Sequence, residues 1–151
     1  MTIRKVQEPP VTYTQTIYAS LWIAGAQQVG VDTHGVRGPG SHIAVAAEQV
    51  LIYLHDITAA NAYANAWIDA ALIADQLPAT VSVTEEHTGP ALMVRAHGRD
   101  EVRHGWDPTL QALLIRIGNF TWRVRDRAAY DTMRAAWLQV REIAPIILRR
   151  G

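Results

Sequence analysis

The chain has 151 residues, about half of them apolar, no cysteine and a formal net charge of zero. It is long enough to close a sizeable core, whereas disulfides, thiolate metal sites and a uniformly basic binding surface are excluded. The zero hides an asymmetry, because residues 1–77 hold three basic and six acidic side chains while residues 78–151 hold eleven and eight, so any phosphate-facing surface is expected in the second part.

In chain order, Met1 to Pro10 reads as an arm without the apolar stretch of a signal peptide. Val11–Tyr18 and Leu21–Ala26 alternate like strands, and Gly30–Gly40 carries turn residues. Ile43–Ala47 and Val50–Leu54 form a hairpin turning at Glu48-Gln49. Asp56 then stands as the N-cap of a helix predicted from about residue 57 to Gln76, with Tyr63, Trp67, Ala70, Ala74 and Leu77 on one face. The order recurs. Val81–Glu86 and Ala91–His97 read as strands, Gly98–Thr109 as a loop, and Leu113–Ile117 with Phe120–Arg125 as a hairpin turning at Gly118-Asn119. Asp126 caps a second helix whose stripe is Met133, Trp137, Val140, Ala144 and Ile147, with Pro145 expected to mark or kink its last turn. No apolar run approaches the roughly 18 residues that span a bilayer, so a cytoplasmic protein with no membrane partner is expected.

At an offset of 70, residues 11–77 match 81–147 without a gap, with eleven identities that include Asp56/Asp126, Trp67/Trp137 and the pair His34-Gly35/His104-Gly105. The expected fold class is therefore α+β: two tandem ββββα repeats, 11–77 and 78–148, forming one compact pseudo-two-fold domain of antiparallel sheets and two helices. This order of elements and repeat length resembles the Whirly architecture and the PUR-repeat domains. The resemblance implies binding of single-stranded DNA or RNA and self-association.

Sorting the second unit by alternation puts Arg95, His97, Arg116, Arg123 and Arg125 on an outward face, with Arg99, Arg103 and Trp106 in the neighbouring loop. Cations with an aromatic ring suit sequence-tolerant single-strand binding, in which Trp106 would be the stacking residue. The bland alternative is a solvated arginine face. In the first unit the same sorting puts Leu21, Ile23, Ala44, Ala46, Leu51 and Tyr53 outward, a surface apolar enough to predict an interface in a homo-oligomer.

Catalysis is not expected. His34 and His104 invite a catalytic or metal reading, yet their neighbouring acids, Asp32 and Asp107, sit at different offsets, and no ligand set of three or four residues accompanies either. Gly35–Gly40 lacks the helix that follows a phosphate loop. No cofactor and no metal are expected. The leading expectation is a non-enzymatic binder of single-stranded nucleic acid, and the alternative is a structural or protein-interaction module whose apolar first sheet is the functional surface.

Overall fold

The computed structural model describes residues 18–82 and 92–150. The strands are β1 (Ala19–Ile23), β2 (Val29–His34), β3 (His42–Ala47), β4 (Val50–Leu54), β5 (Leu92–Ala96), β6 (Val102–Asp107), β7 (Ala112–Ile117) and β8 (Phe120–Val124). The helices are α1 (Ile57–Ile68), the single turn α2 (Ala71–Ala74) and α3 (Arg127–Ile147). The fold is α+β. Two four-stranded sheets run in the orders β1-β8-β7-β6, called sheet A, and β2-β3-β4-β5, called sheet B.

Both hairpins form as expected, β3 to β4 and β7 to β8, each through a two-residue connection. Gly118 takes a φ of 58° at no steric cost, whereas Glu48 takes 47° at the matching place in the first hairpin.

The outer strands depart from the expected arrangement. β1 lies parallel to β8, with Ala19 opposite Phe120 and Ile23 opposite Val124. β5 lies parallel to β4, with Leu92 opposite Val50 and Ala96 opposite Leu54. Each sheet is thus mixed rather than antiparallel, and each is completed by a strand from the other half of the chain. The strand expected at Leu21–Ala26, the second of the first unit, is Ala19–Ile23, and the expected loops Gly30–Gly40 and Gly98–Thr109 hold most of β2 and all of β6. Those two are edge strands that include Gly30, Asp32, Gly105 and Asp107, a composition that hides them because an edge needs little apolar surface. The expected strands Val11–Tyr18 and Val81–Glu86, and the arm, fall outside the described residues except for Tyr18, Val81 and Ser82, none of which is in a strand.

The helices pack on each other and on the inward sheet faces, α1 against β6 and β7, α3 against β2 and β3. Trp67 and Trp137 are fully buried in the predicted stripes, together with Trp122 and Tyr130. Trp122 meets Trp67 edge-on at 5.4 Å between centroids, and the Tyr130 hydroxyl donates to the Trp67 carbonyl at 2.6 Å. The predicted single helix to Gln76 is instead interrupted at Asp69 and Ala70, which stay right-handed. Aspartate is a poor interior helix residue because its carboxylate competes for backbone donors. At the end of α3, the backbone N–H of Arg37 donates to the Ile147 carbonyl at 2.8 Å and its guanidinium to the Pro145 carbonyl at 2.9 Å, a cation placed on a helix C-terminus. The helix passes through Pro145 to Ile147.

Both predicted caps hold, and both do more than cap. Asp56 accepts from Ala59 N–H at 2.7 Å and from Gly98 N–H at 2.7 Å, just past β5. Asp126 accepts from Ala129 N–H at 2.8 Å, from Val81 N–H at 3.2 Å and, with both oxygens, from Gly25 N–H just past β1 at 3.0 and 2.9 Å. Each exchanged strand is therefore followed, two residues on, by a glycine of positive φ, 77° at Gly25 and 64° at Gly98, tied to the cap of the helix that follows the strand it pairs with. No helix among the described residues is long and apolar enough to cross a membrane.

Candidate nucleic-acid interface

The outward face of sheet A follows from the ladder. Ser20 lies opposite Thr121, which lies opposite Arg116, which lies opposite Arg103; in the next row Trp22, Arg123, Leu114 and Gly105 stand side by side. Arg125 continues the face beyond β8. Three of these arginines carry aromatic partners: Arg116 lies 5.4 Å from the Tyr18 ring, and Arg123 and Arg125 lie 5.9 and 5.7 Å from the Trp22 ring. Tyr18 is 68% exposed and Trp22 41%. Large aromatic surface left in water beside arginines has the shape of a stacking platform bordered by phosphate donors.

The arginines are held with unequal firmness. Arg123 donates to Ser20 Oγ at 2.9 Å and to Asp107 Oδ2 at 3.2 Å, a half-buried pair with Asp107 that holds the guanidinium between partners on β1 and β6. Arg116 donates to the Gly118 carbonyl at 3.0 Å. Arg103 pairs with Glu101 at 2.7 Å, but both side chains are well exposed, so the pair is weak and readily exchanged for a phosphate.

The sequence-predicted site divides between the two sheets. Arg103, Arg116, Arg123 and Arg125 share the face of sheet A. Arg95 and His97 do not belong to it, because β5 crosses into sheet B and carries them to that outward face. Arg99 lines a cleft of about 610 Å³ between α1 and the β5–β6 connection, beside Asn61, Asn65, Asp100 and Glu101. Trp106 pairs with Leu113 on the inward side of β6 and packs against the core, so it does not join the outward face with the arginines. Leu21 and Ile23 face inward, Ile23 being buried, which corrects their assignment to an apolar interface. Leu51 and Tyr53 do face outward and are half-buried, with the Arg95 guanidinium 5.0 Å above the Tyr53 ring. Trp22 and Tyr18 escaped sequence reasoning because β1 was placed in the wrong sheet and one residue out of phase; the signal was a tryptophan between two apolar neighbours, Leu21 and Ile23.

Compared with known proteins, the chain matches no family model, no curated protein and no solved structure.

The histidine pair of the sequence is also not a structural pair. His104 lies opposite Ile115 on the inward side of β6, and its Nε2–H donates to the Ala66 carbonyl of α1, so that tautomer is set by an acceptor-only partner. His34 is exposed at the end of β2, opposite His42. His34 belongs to a row. His34 and His42 stack at 5.0 Å, His42 and His55 lie 6.0 Å apart, and His55 and His97 stack at 4.4 Å and 6°. Among the described residues no three metal-ligating side chains are grouped to hold an ion.

Burial lowers the His55 pKa from its ordinary value, helped by His97, Arg95 and His42 and opposed by Asp56. A base depressed in the folded state contributes stability above its unfolded pKa of about 6.5 that is lost as pH falls through the folded value. The urea midpoint is accordingly expected to fall between about pH 7.5 and pH 5.5, and less so in His55→Gln. Equal pH slopes for the two proteins would refute this.

Proposed function

We propose that this protein binds single-stranded nucleic acid, DNA or RNA, across the outward face of sheet A, without catalysis and without a cofactor. The observation that carries the reading is the interleaving of Arg116, Arg123 and Arg125 with exposed Tyr18 and Trp22 on one sheet face. Arginines supply the salt-dependent attraction to phosphates, and rings supply base stacking that tolerates any sequence. A merely solvated face would not need exposed aromatics beneath its cations. Self-association through the first sheet is less well supported, because Leu21 and Ile23 turn inward and Arg95 covers Tyr53.

The same proposal includes a duplicated unit of the kind the Whirly and PUR resemblance implies. Its support is the matching order β1–β4 with α1 and β5–β8 with α3, the paired caps Asp56 and Asp126, and the reciprocal placement of β1 and β5. A constant offset of 70 does not extend to the outer strands. The connection Gly35–Ser41 is three residues longer than Pro108–Gln111, which moves β1/β5 and β2/β6 out of the gapless match and accounts for the false pairing of His34 with His104.

The test is a fluorescence-anisotropy titration of labelled single-stranded DNA and RNA at two salt concentrations. Saturable binding that weakens with salt is expected, and Trp22→Ala is expected to weaken it about tenfold, the scale of one lost stack. Absence of binding at low salt would overturn the proposal.

A further inference from the structure

Sheet B carries a second group of residues that the face on sheet A does not use. Residues 34, 42, 55 and 97 occupy the same level on β2, β3 and the ends of β4 and β5, so a rung of four histidines crosses all four strands. The next rung is Asp32, Ala44, Tyr53 and Arg95. The Tyr53 ring meets His42 edge-on at 5.3 Å and lies under the Arg95 guanidinium. The rung exists only because β5 is exchanged, since His97 comes from the other half of the chain.

Among the described residues, few charged groups face this rung. Arg95 on β5 is a permanent cation. Asp32 on β2 stands one rung away at the opposite edge, next to His34 and His42 rather than His55. Asp56, which follows His55, spends its carboxylate on the backbone N–H groups of Ala59 and Gly98. Arg37, in the connection from His34 to His42, turns its guanidinium to the Pro145 carbonyl. His42 donates from Nδ1 to the Gly40 carbonyl at 3.1 Å, leaving Nε2 for another partner. His55 Nε2 is buried and has no hydrogen-bond partner among the described residues.

We propose that this histidine rung with Arg95 is a proton-gated second track for the phosphodiester backbone of a single strand, weak when the imidazoles are neutral and engaged when they are charged. His55 stacks on His97 at 4.4 Å, and burial with that neighbour opposes a charge on the His55 ring, an opposition that an anion laid across the pair offsets. Binding and protonation are then reciprocal: acid strengthens binding, and the bound strand raises the affinity of the row for protons. The aromatic faces and Tyr53 suit a strand better than a simple anion, because they give bases something to stack on between phosphates. The inference rests on the single-strand reading above.

The test compares affinities for a labelled oligothymidylate of about 20 nucleotides at about pH 8 and about pH 5.8, at constant ionic strength. In the native protein the affinity is expected to be about tenfold higher at the lower pH. The pH ratio is expected to fall towards one in His55→Gln/His97→Gln, and also in His34→Gln/His42→Gln, which leaves the buried Nε2 of His55 in place and so guards against a folding defect in the first. A native ratio near one, or a native-like ratio retained in both variants, overturns the rung while leaving sheet A intact. Acid-dependent binding that persists after the sheet A arginines are replaced, and is lost in the histidine variants, supports the rung; affinity at about pH 8 left unchanged by the same replacement overturns the sheet A reading. No binding at either pH overturns both.

Discussion

Replacing Asp126 with alanine is expected to lower the stability of the protein by about 3–5 kcal/mol, the largest loss from any single polar side chain described above. The carboxylate is fully buried and serves three backbone donors from three places in the chain: Gly25 after β1, Val81 near the start of the second half, and Ala129 in the first turn of α3. Loss of a helix cap alone costs roughly 1 kcal/mol, and each donor then left unpaired in the interior adds about 1–3 kcal/mol unless water reaches it. Asp126→Asn is expected to recover only part of this, because one acceptor oxygen becomes a donor facing other donors. Asp56→Ala is the internal comparison. It removes a cap with two partners, at a half-buried position, and is expected to cost about half as much. Urea unfolding of the three variants measures the order. An Asp126→Ala midpoint no lower than that of Asp56→Ala would show that the Gly25 anchor carries little energy, and hydrogen exchange at β1 would then stay as slow as in the native protein.

The second large effect concerns affinity. Arg116→Gln/Arg123→Gln/Arg125→Gln is expected to weaken single-strand binding roughly 100-fold at low salt and to reduce the salt slope by about 2, as three phosphate contacts would. Glutamine keeps the length and some hydrogen bonding while removing the charge and the cation over each ring. The matched control is Arg134→Gln/Arg141→Gln/Arg150→Gln, which alters net charge equally on α3 and beyond it. If both triple variants lose affinity equally, the protein attracts nucleic acid by overall charge and has no dedicated face. If only the first loses it, sheet A is the face. Arg123 also bridges Ser20 and Asp107, so a modest stability loss is expected in the first variant; Asp107 retains the backbone donors of Thr109 and Leu110.

Local signals in the sequence led to the parts of the fold that depend on local chemistry. Asp56 and Asp126 were legible as caps, Trp67 and Trp137 as buried anchors, and the two hairpins as hairpins, because capping, helical period and turn geometry act within a few residues. The partners of β1 and β5 were not legible. Parallel pairing between strands far apart leaves no mark in either strand except the burial phase, and Leu21-Trp22-Ile23 reads in either phase when every residue is apolar. The site inherited that error. Arg116, Arg123 and Arg125 were rightly placed on one face from β7 and β8 alone, whereas Arg95 and His97 were assigned to that same face although β5 carries them to sheet B, and Trp22 was overlooked. The histidine rung was invisible for the same reason, since its four members come from four strands and from both halves of the chain.

The exchange of β1 and β5 also sets the order in which this molecule can be assembled. Gly25 reaches its anchor 101 residues later in the chain, at Asp126, so the earliest described strand waits for almost the last element before it has a sheet to join. Sheet B, though nucleated early by its hairpin, keeps an open edge on β4 until β5 arrives. Contacts of such long sequence separation make for slow folding, and an unpaired β4 with Leu51 and Tyr53 exposed is a template for a second copy of β5 from another chain. During synthesis the hazard for this protein is therefore trading strands with a neighbour, which would give a domain-swapped dimer with the same hydrogen bonds as the monomer.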